Sequence, residues 1–173
     1  DYIANLKLLA DANYSLDVDT PRQGMTATEV LVQVLDKVPS LRLVMDHLPD
    51  VRFPDRAAKD TYLTYLRELG ERPQVYIKLS EVVRKRGDRV STDVNAYRDW
   101  LDELWSIFGE DRVMFGSDWP QSESLEFNSY PNVFGVARAY VRSKGPSAME
   151  KVFWKNSLKP YRWVTRVPSQ RQA

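Results

Sequence analysis

Four short apolar runs, each preceded by a stretch with helical periodicity, constrain this chain more than any other feature. They are Tyr14-Ser15-Leu16-Asp17-Val18, Leu41 to His47, Gln74 to Ser80 and Arg112 to Ser117. Ile3, Leu6, Leu8, Leu9 and Ala12 give a helical face before the first run. Val30, Leu31, Val34, Leu35 and Val38 give another, with Thr26 or Thr28 as its cap and Pro39 as its stop. A third helix is expected from Ala57 to Leu69 with Gly70 as C-cap. A fourth carries Tyr97, Trp100, Leu101, Leu104, Trp105 and Phe108, capped by Asp93 and ended by Gly109. The remainder reads as helix over 131–143 and 147–163, punctuated by Gly145-Pro146.

Strands separated by helices of this length form parallel βαβ units. Apolar strands with little alternation fit a sheet covered on both faces. An open doubly wound sheet and part of a (β/α)8 barrel both satisfy this pattern. A full barrel takes about 250 residues, and this chain has 173, so it would supply about half of one. Asp1 to Leu9 already reads as a running helix with no initiator Met, so further sequence is expected upstream.

With 25 basic against 24 acidic residues, the net charge of +1 gives no reason to expect nucleic acid or an anionic membrane as a partner. No apolar run is long enough to span a bilayer. There is no cysteine, which excludes a thiol nucleophile and cysteine-held metal, and fits a reducing, cytoplasmic setting. One domain is expected over 1–165, followed by a polar tail at 166–173.

In parallel α/β folds the ligand lies at the C-terminal ends of the strands. That rule selects Asp17 and Asp19, Asp46 and His47, Lys78 and Ser80, and Ser117 and Asp118. Period-two alternation puts Met45 with His47, Lys78 with Ser80, and Met114 with Gly116 and Asp118. Any one of these polar residues is adequately explained as a strand-to-loop transition. His47, the single histidine, and Asp118 are together the exception. A neutral imidazole can ligate a metal or polarise a carbonyl, and a carboxylate can deprotonate a water.

At these residues the sequence resembles the amidohydrolase-related (amidohydrolase 2) family of barrel hydrolases. The matching pieces are Leu41 to Pro49, Val75 to Ser80, and Phe108 to Pro120 with its Gly116-Ser117-Asp118-Trp119-Pro120 ending. Phe153 to Trp163 is similar to the family's closing helix. The resemblance implies that the four strands are the fifth to eighth of a (β/α)8 TIM barrel, its C-terminal half. It implies Asp118 as the water-activating catalytic base and His47 as the contact to metal or substrate carbonyl. Both would be metal ligands where a metal is bound, and Lys78, Ser80 and Trp119 would be substrate-binding pocket residues. Relatives open lactones or a pyrone dicarboxylate, and more distant ones decarboxylate. The expected activity is therefore hydrolysis of a small polar lactone or ester, with metal-dependent decarboxylation as the alternative. The expected cofactor is one divalent metal ion, zinc or similar, or none.

The departures are informative. The family's first strand carries a His-x-His pair, and this chain has no second histidine. Glu81 stands where many relatives have glycine. Half a barrel would also expose two strand edges, leaving open a homo-oligomer that rebuilds the closure or an inactive truncated product. Asn156, Trp154, Tyr161 and Trp163 are read as structural, packing at the barrel's base.

Overall fold

The four apolar runs form one parallel sheet, seen in a computed structural model that describes residues 1–19, 25–47, 53, 55–86, 89–124 and 128–164. In chain order the elements are α1 (Tyr2–Asp11), β1 (Ser15–Val18), α2 (Met25–Lys37), β2 (Arg42–Met45), α3 (Arg56–Gly70) and β3 (Val75–Leu79). There follow the two-residue strands β4 (Lys85–Arg86) and β5 (Arg89–Val90), then α4 (Arg98–Phe108), β6 (Val113–Phe115), α5 (Tyr130–Arg142) and α6 (Pro146–Phe153). The sheet order is β1-β2-β3-β6, in register at Leu16↔Leu43, Leu43↔Val75 and Ile77↔Val113. No described helix is long and apolar enough to cross a membrane.

Alternation along the strands sorts side chains onto two faces. Leu43, Met45, Ile77 and Val113 join the main core with Leu35 and Leu66 from the helices. Burying each such side chain is worth about 1.5–3 kcal/mol, which holds the helices against the sheet. The opposite face carries a smaller apolar layer of Val44, Tyr76 and Met114. Asp17, Asp46, Lys78 and Ser80 continue that second face toward the strands' C-terminal ends.

Local structure departs from the sequence expectations at several points. Thr26 and Thr28 lie inside α2 rather than at its cap. Glu71, not Gly70, ends α3, and it does so at a right-handed φ of −71°. Gly70 instead answers to crowding: a Cβ there would sit 2.4 Å from Ile107 Cγ2 and 2.9 Å from the Ile107 carbonyl oxygen. Asp93 caps a 3-10 turn, accepting from the Asn95 amide at 3.0 Å, and α4 begins only at Arg98. The basic loop after Ser80 contains the β4–β5 ribbon.

The last helix also stops early, at Phe153, and a 3-10 turn over Lys155–Leu158 replaces it. The reason is the Asn156 amide, which donates to the carbonyls of Glu110 and Val113, each at 2.7 Å. At the same end of the sheet Arg112 donates to the carbonyls of Gly70 at 2.5 Å and Arg72 at 2.8 Å. The N-terminal ends of the strands are thus tied together by side chains that satisfy loop carbonyls. The polar tail expected at 166–173 lies outside the described residues.

Candidate active site

His47, Ser80, Glu81 and Asp118 follow β2, β3 and β6, three adjacent strands, and meet beyond their C-terminal ends. His47 Nε2 lies 3.7 Å from Asp118 Oδ1, and each side chain is 16% exposed. That separation is too long for a direct hydrogen bond, but it is a working distance for a shared water, substrate atom or cation. On its other side the imidazole is held: Nδ1 shares a hydrogen bond of 3.0 Å with Ser80 Oγ. Ser80 is only 1% exposed, so this contact is shielded from competing water.

Alternation placed His47 on the face of Met45, which packs into the helix-side core. The strand ends at Met45, however, and the chain turns before His47. Once ladder hydrogen bonds stop, period two no longer governs where a side chain points. Asp118 lies three residues beyond β6, at φ 56°. Aspartate tolerates this left-handed conformation better than most residues. Its carbonyl accepts from the Ser122 amide at 2.8 Å, and Ser117 Oγ accepts from the Trp119 amide at 3.2 Å. The Trp119 indole is left 66% exposed beside the carboxylate.

Glu81, noted in the sequence only as a departure, proves to be part of this group. One ligand atom each from His47, Glu81 and Asp118 lies within 4.8 Å of the others. Glu81 is also left-handed, at φ 49°, and Arg84 anchors it. The Arg84 Nε donates to the Glu81 carbonyl at 2.8 Å, and Arg84 Nη2 lies 3.7 Å from Glu81 Oε2. No period or motif within the sequence marks Glu81, because its position depends on the sharp turn after β3. One imidazole nitrogen with two carboxylates is a donor set suited to zinc or a similar divalent ion.

A second polar group centres on Lys78, which is 21% exposed. Lys78 Nζ donates to Asp17 Oδ2 at 2.8 Å and to Asp46 Oδ1. Tyr161 Oη donates to the same Asp17 oxygen at 2.7 Å, and the Lys78 ammonium lies 5.6 Å from the Tyr161 ring centre. Burial pulls the Lys78 pKa down, but the hydrogen bonds to Asp17 and Asp46 and the contact with Tyr161 outweigh it, raising it above the ordinary lysine value. Burial pushes the Tyr161 phenol up to about 12, with Lys78 opposing and Asp17 reinforcing. Asp17 and Asp46 were legible as strand-end residues. Tyr161, expected only to pack, needed the turn after the closing 3-10 segment to reach them.

Comparison with known proteins gives this geometry a family. The sequence matches the amidohydrolase family over residues 3–163. It is 34% identical over 120 residues to an L-fucono-1,5-lactonase of Burkholderia multivorans, covering 65% of this chain and 40% of that protein. It is 24% identical over 163 residues to an L-rhamnono-gamma-lactonase of Scheffersomyces stipitis, covering 86% and 48%. The chain thus spans somewhat under half the length of the curated relatives it matches. Among solved structures, an amidohydrolase from Burkholderia multivorans with bound zinc superposes with a TM-score of 0.77 at 22% identity, covering 94% of this chain and 57% of that one. A putative 2-pyrone-4,6-dicarboxylic acid hydrolase from Pseudomonas putida gives 0.65 at 22% identity, covering 88% and 53%. A parallel sheet with polar groups gathered beyond its strand ends, and a family match running from the first helix to the last turn, lead to one conclusion: this chain belongs to the amidohydrolase family.

Proposed function

We propose that this chain carries the catalytic aspartate of a lactonase and that its sheet strands are the fifth to eighth of a (β/α)8 barrel. The observation that carries the reading is the approach of Asp118 to His47, 3.7 Å apart at the reactive end of the sheet. The lactonase names of the relatives support a lactone as substrate, with a small sugar-derived ring the natural choice. Coverage of about half of each structural neighbour supports the barrel assignment. The lack of cysteine in the sequence is in keeping with a cytoplasmic setting.

In this mechanism Asp118 takes a proton from a water molecule, whose oxygen attacks the lactone carbonyl carbon. His47, fixed by Ser80, faces the oxygen on which negative charge develops. Collapse of the tetrahedral intermediate breaks the ring C–O bond. Asp118 returns its proton to the departing oxygen, leaving an open hydroxy acid. Trp119 offers an exposed aromatic wall to the ring's apolar face, while Lys78 and Ser80 shape the pocket floor through the groups they hold. His47, Glu81 and Asp118 would hold a divalent ion, and its contribution when bound is to polarise the carbonyl.

The test is Asp118→Asn in the intact protein, followed by lactone opening in a pH-stat. Removal of a general base lowers kcat by about 10²–10⁴-fold. Full activity in the variant would end this reading.

A further inference from the structure

We propose that Lys78 is a positioning residue for His47, bracing it through Asp46 rather than touching the substrate. This role presupposes the assignment of His47 to the active site. It replaces the substrate contact expected for Lys78 from the sequence resemblance.

Two side-chain links join the ends of β2 and β3. The lower runs from Lys78 Nζ to Asp46 Oδ1, and the upper joins Ser80 Oγ to His47 Nδ1 at 3.0 Å. Asp46 and His47 are consecutive, and Lys78 and Ser80 are two residues apart. The two links and the chain between them therefore close a ring. Both links border Gly116, where a Cβ would lie 3.2 Å from Ser80 Oγ and 3.4 Å from Lys78 Cδ. The lysine stem and the serine hydroxyl thus stand on the same side of the sheet.

Asp46 is fixed twice in this ring. Its amide donates to the Val18 carbonyl at 2.8 Å, and its carboxylate accepts from Lys78. Lys78 is held in turn from β1 by Asp17 Oδ2 at 2.8 Å, an oxygen that also accepts from Tyr161 at 2.7 Å. One ammonium thereby ties together three neighbouring strands, β1, β2 and β3. His47 follows the last ladder-paired residue of β2, Met45, by two positions. With no ladder to direct it, its backbone takes its starting point from Asp46.

The same contacts turn Lys78 away from anion binding. An ammonium has three donors. Two meet Asp17 and Asp46, and the Tyr161 ring lies 5.6 Å away. One positive charge between two carboxylates leaves the group net negative, so it does not recruit an anionic substrate group.

The experiment substitutes Lys78 in the intact protein and reads both kinetics and the His47 ring. Lys78→Met should lower kcat for lactone opening by up to about 10²-fold, the cost of misplacing a reacting group by about 1 Å, with KM within about threefold of the parent. Lys78→Arg keeps a charge able to bridge Asp17 and Asp46, and should restore most of the loss. In ¹H–¹⁵N spectra the His47 ring signals, identified by their loss in His47→Gln, should shift or broaden in Lys78→Met and return in Lys78→Arg. Asp46→Asn keeps the shape but removes the carboxylate, and should move the same signals. It decides the matter if Lys78→Met fails to fold. A raised KM with unchanged kcat, or His47 signals unmoved by Lys78→Met or Asp46→Asn, overturns the proposal. The ring signals need no lactone, so they report on the brace even if Asp118→Asn has overturned the hydrolase reading.

Discussion

Gly116 is a glycine because Ser80 occupies the space a side chain would need. A Cβ on Gly116 would lie 3.1 Å from Ser80 Cβ and 3.2 Å from Ser80 Oγ, closer than nearly all real contacts. Since Ser80 Oγ is the partner of His47 Nδ1, the glycine before Ser117-Asp118 leaves room for the hydroxyl that holds the imidazole.

Gly116→Ala should therefore disturb function more than stability. Pushing Ser80 aside by a few tenths of an ångström loosens His47, and misplacements of about 1 Å cost up to 10²-fold in rate. The expected outcome is a fall of about tenfold or more in kcat/KM for lactone opening, with Tm lowered by only a few degrees. Unchanged kinetics would show that Ser80 does not govern His47.

The Lys78–Asp17–Tyr161 group predicts alkaline lability. Both Lys78 and Tyr161 have folded pKa values above their ordinary ones. Each therefore contributes stability that is complete below about pH 10, the ordinary range of lysine and tyrosine. That contribution is lost as pH rises toward the folded values, Tyr161 titrating at about 12. Urea midpoints measured from pH 8 to 11.5 should decline above pH 10. The decline should be shallower in Tyr161→Phe, and a slope identical to the parent's would count against the group.

Asn156→Ala should destabilise without touching the chemistry. It strips this partner from the part-buried carbonyl of Glu110 and the buried one of Val113, and leaving a buried acceptor unpaired costs about 1–3 kcal/mol. Denaturant unfolding should report that loss, while KM for the lactone stays within twofold of the parent.

Gly135→Ala should do the reverse. Gly135 lies within α5, is exposed, and has no atom within 4 Å of the Cβ it would gain. Alanine is favoured over glycine in a helix interior by about 0.5–1 kcal/mol. Thermal unfolding should show a small rise in Tm, and a fall would point to an unseen backbone constraint at this position.

Much of this molecule is written locally. The periodicity of apolar residues specifies helix and strand in order, because burial rewards a stripe or a face irrespective of neighbours far along the chain. Strand ends are equally local, so His47, Lys78, Ser80 and Asp118 could be named as one-dimensional facts, along with Asp17 and Asp46. The boundaries that misled were those settled by distant partners. Gly70 is explained by Ile107, and the early end of the last helix by carbonyls of Glu110 and Val113.

The site's pairings belong to the tertiary structure alone. Ser80 was legible as a strand-end residue, but its hold on His47 depends on two strands lying side by side in register. Glu81 joins Asp118 only through a left-handed turn after β3, and Tyr161 reaches Asp17 across 144 residues. Hydrogen bonds and charge contacts act over about 3–4 Å of space and carry no period along the chain. Sequence thus specified the scaffold and its strand-end rim, and the packing of β2, β3 and β6 decided which rim residues stand together.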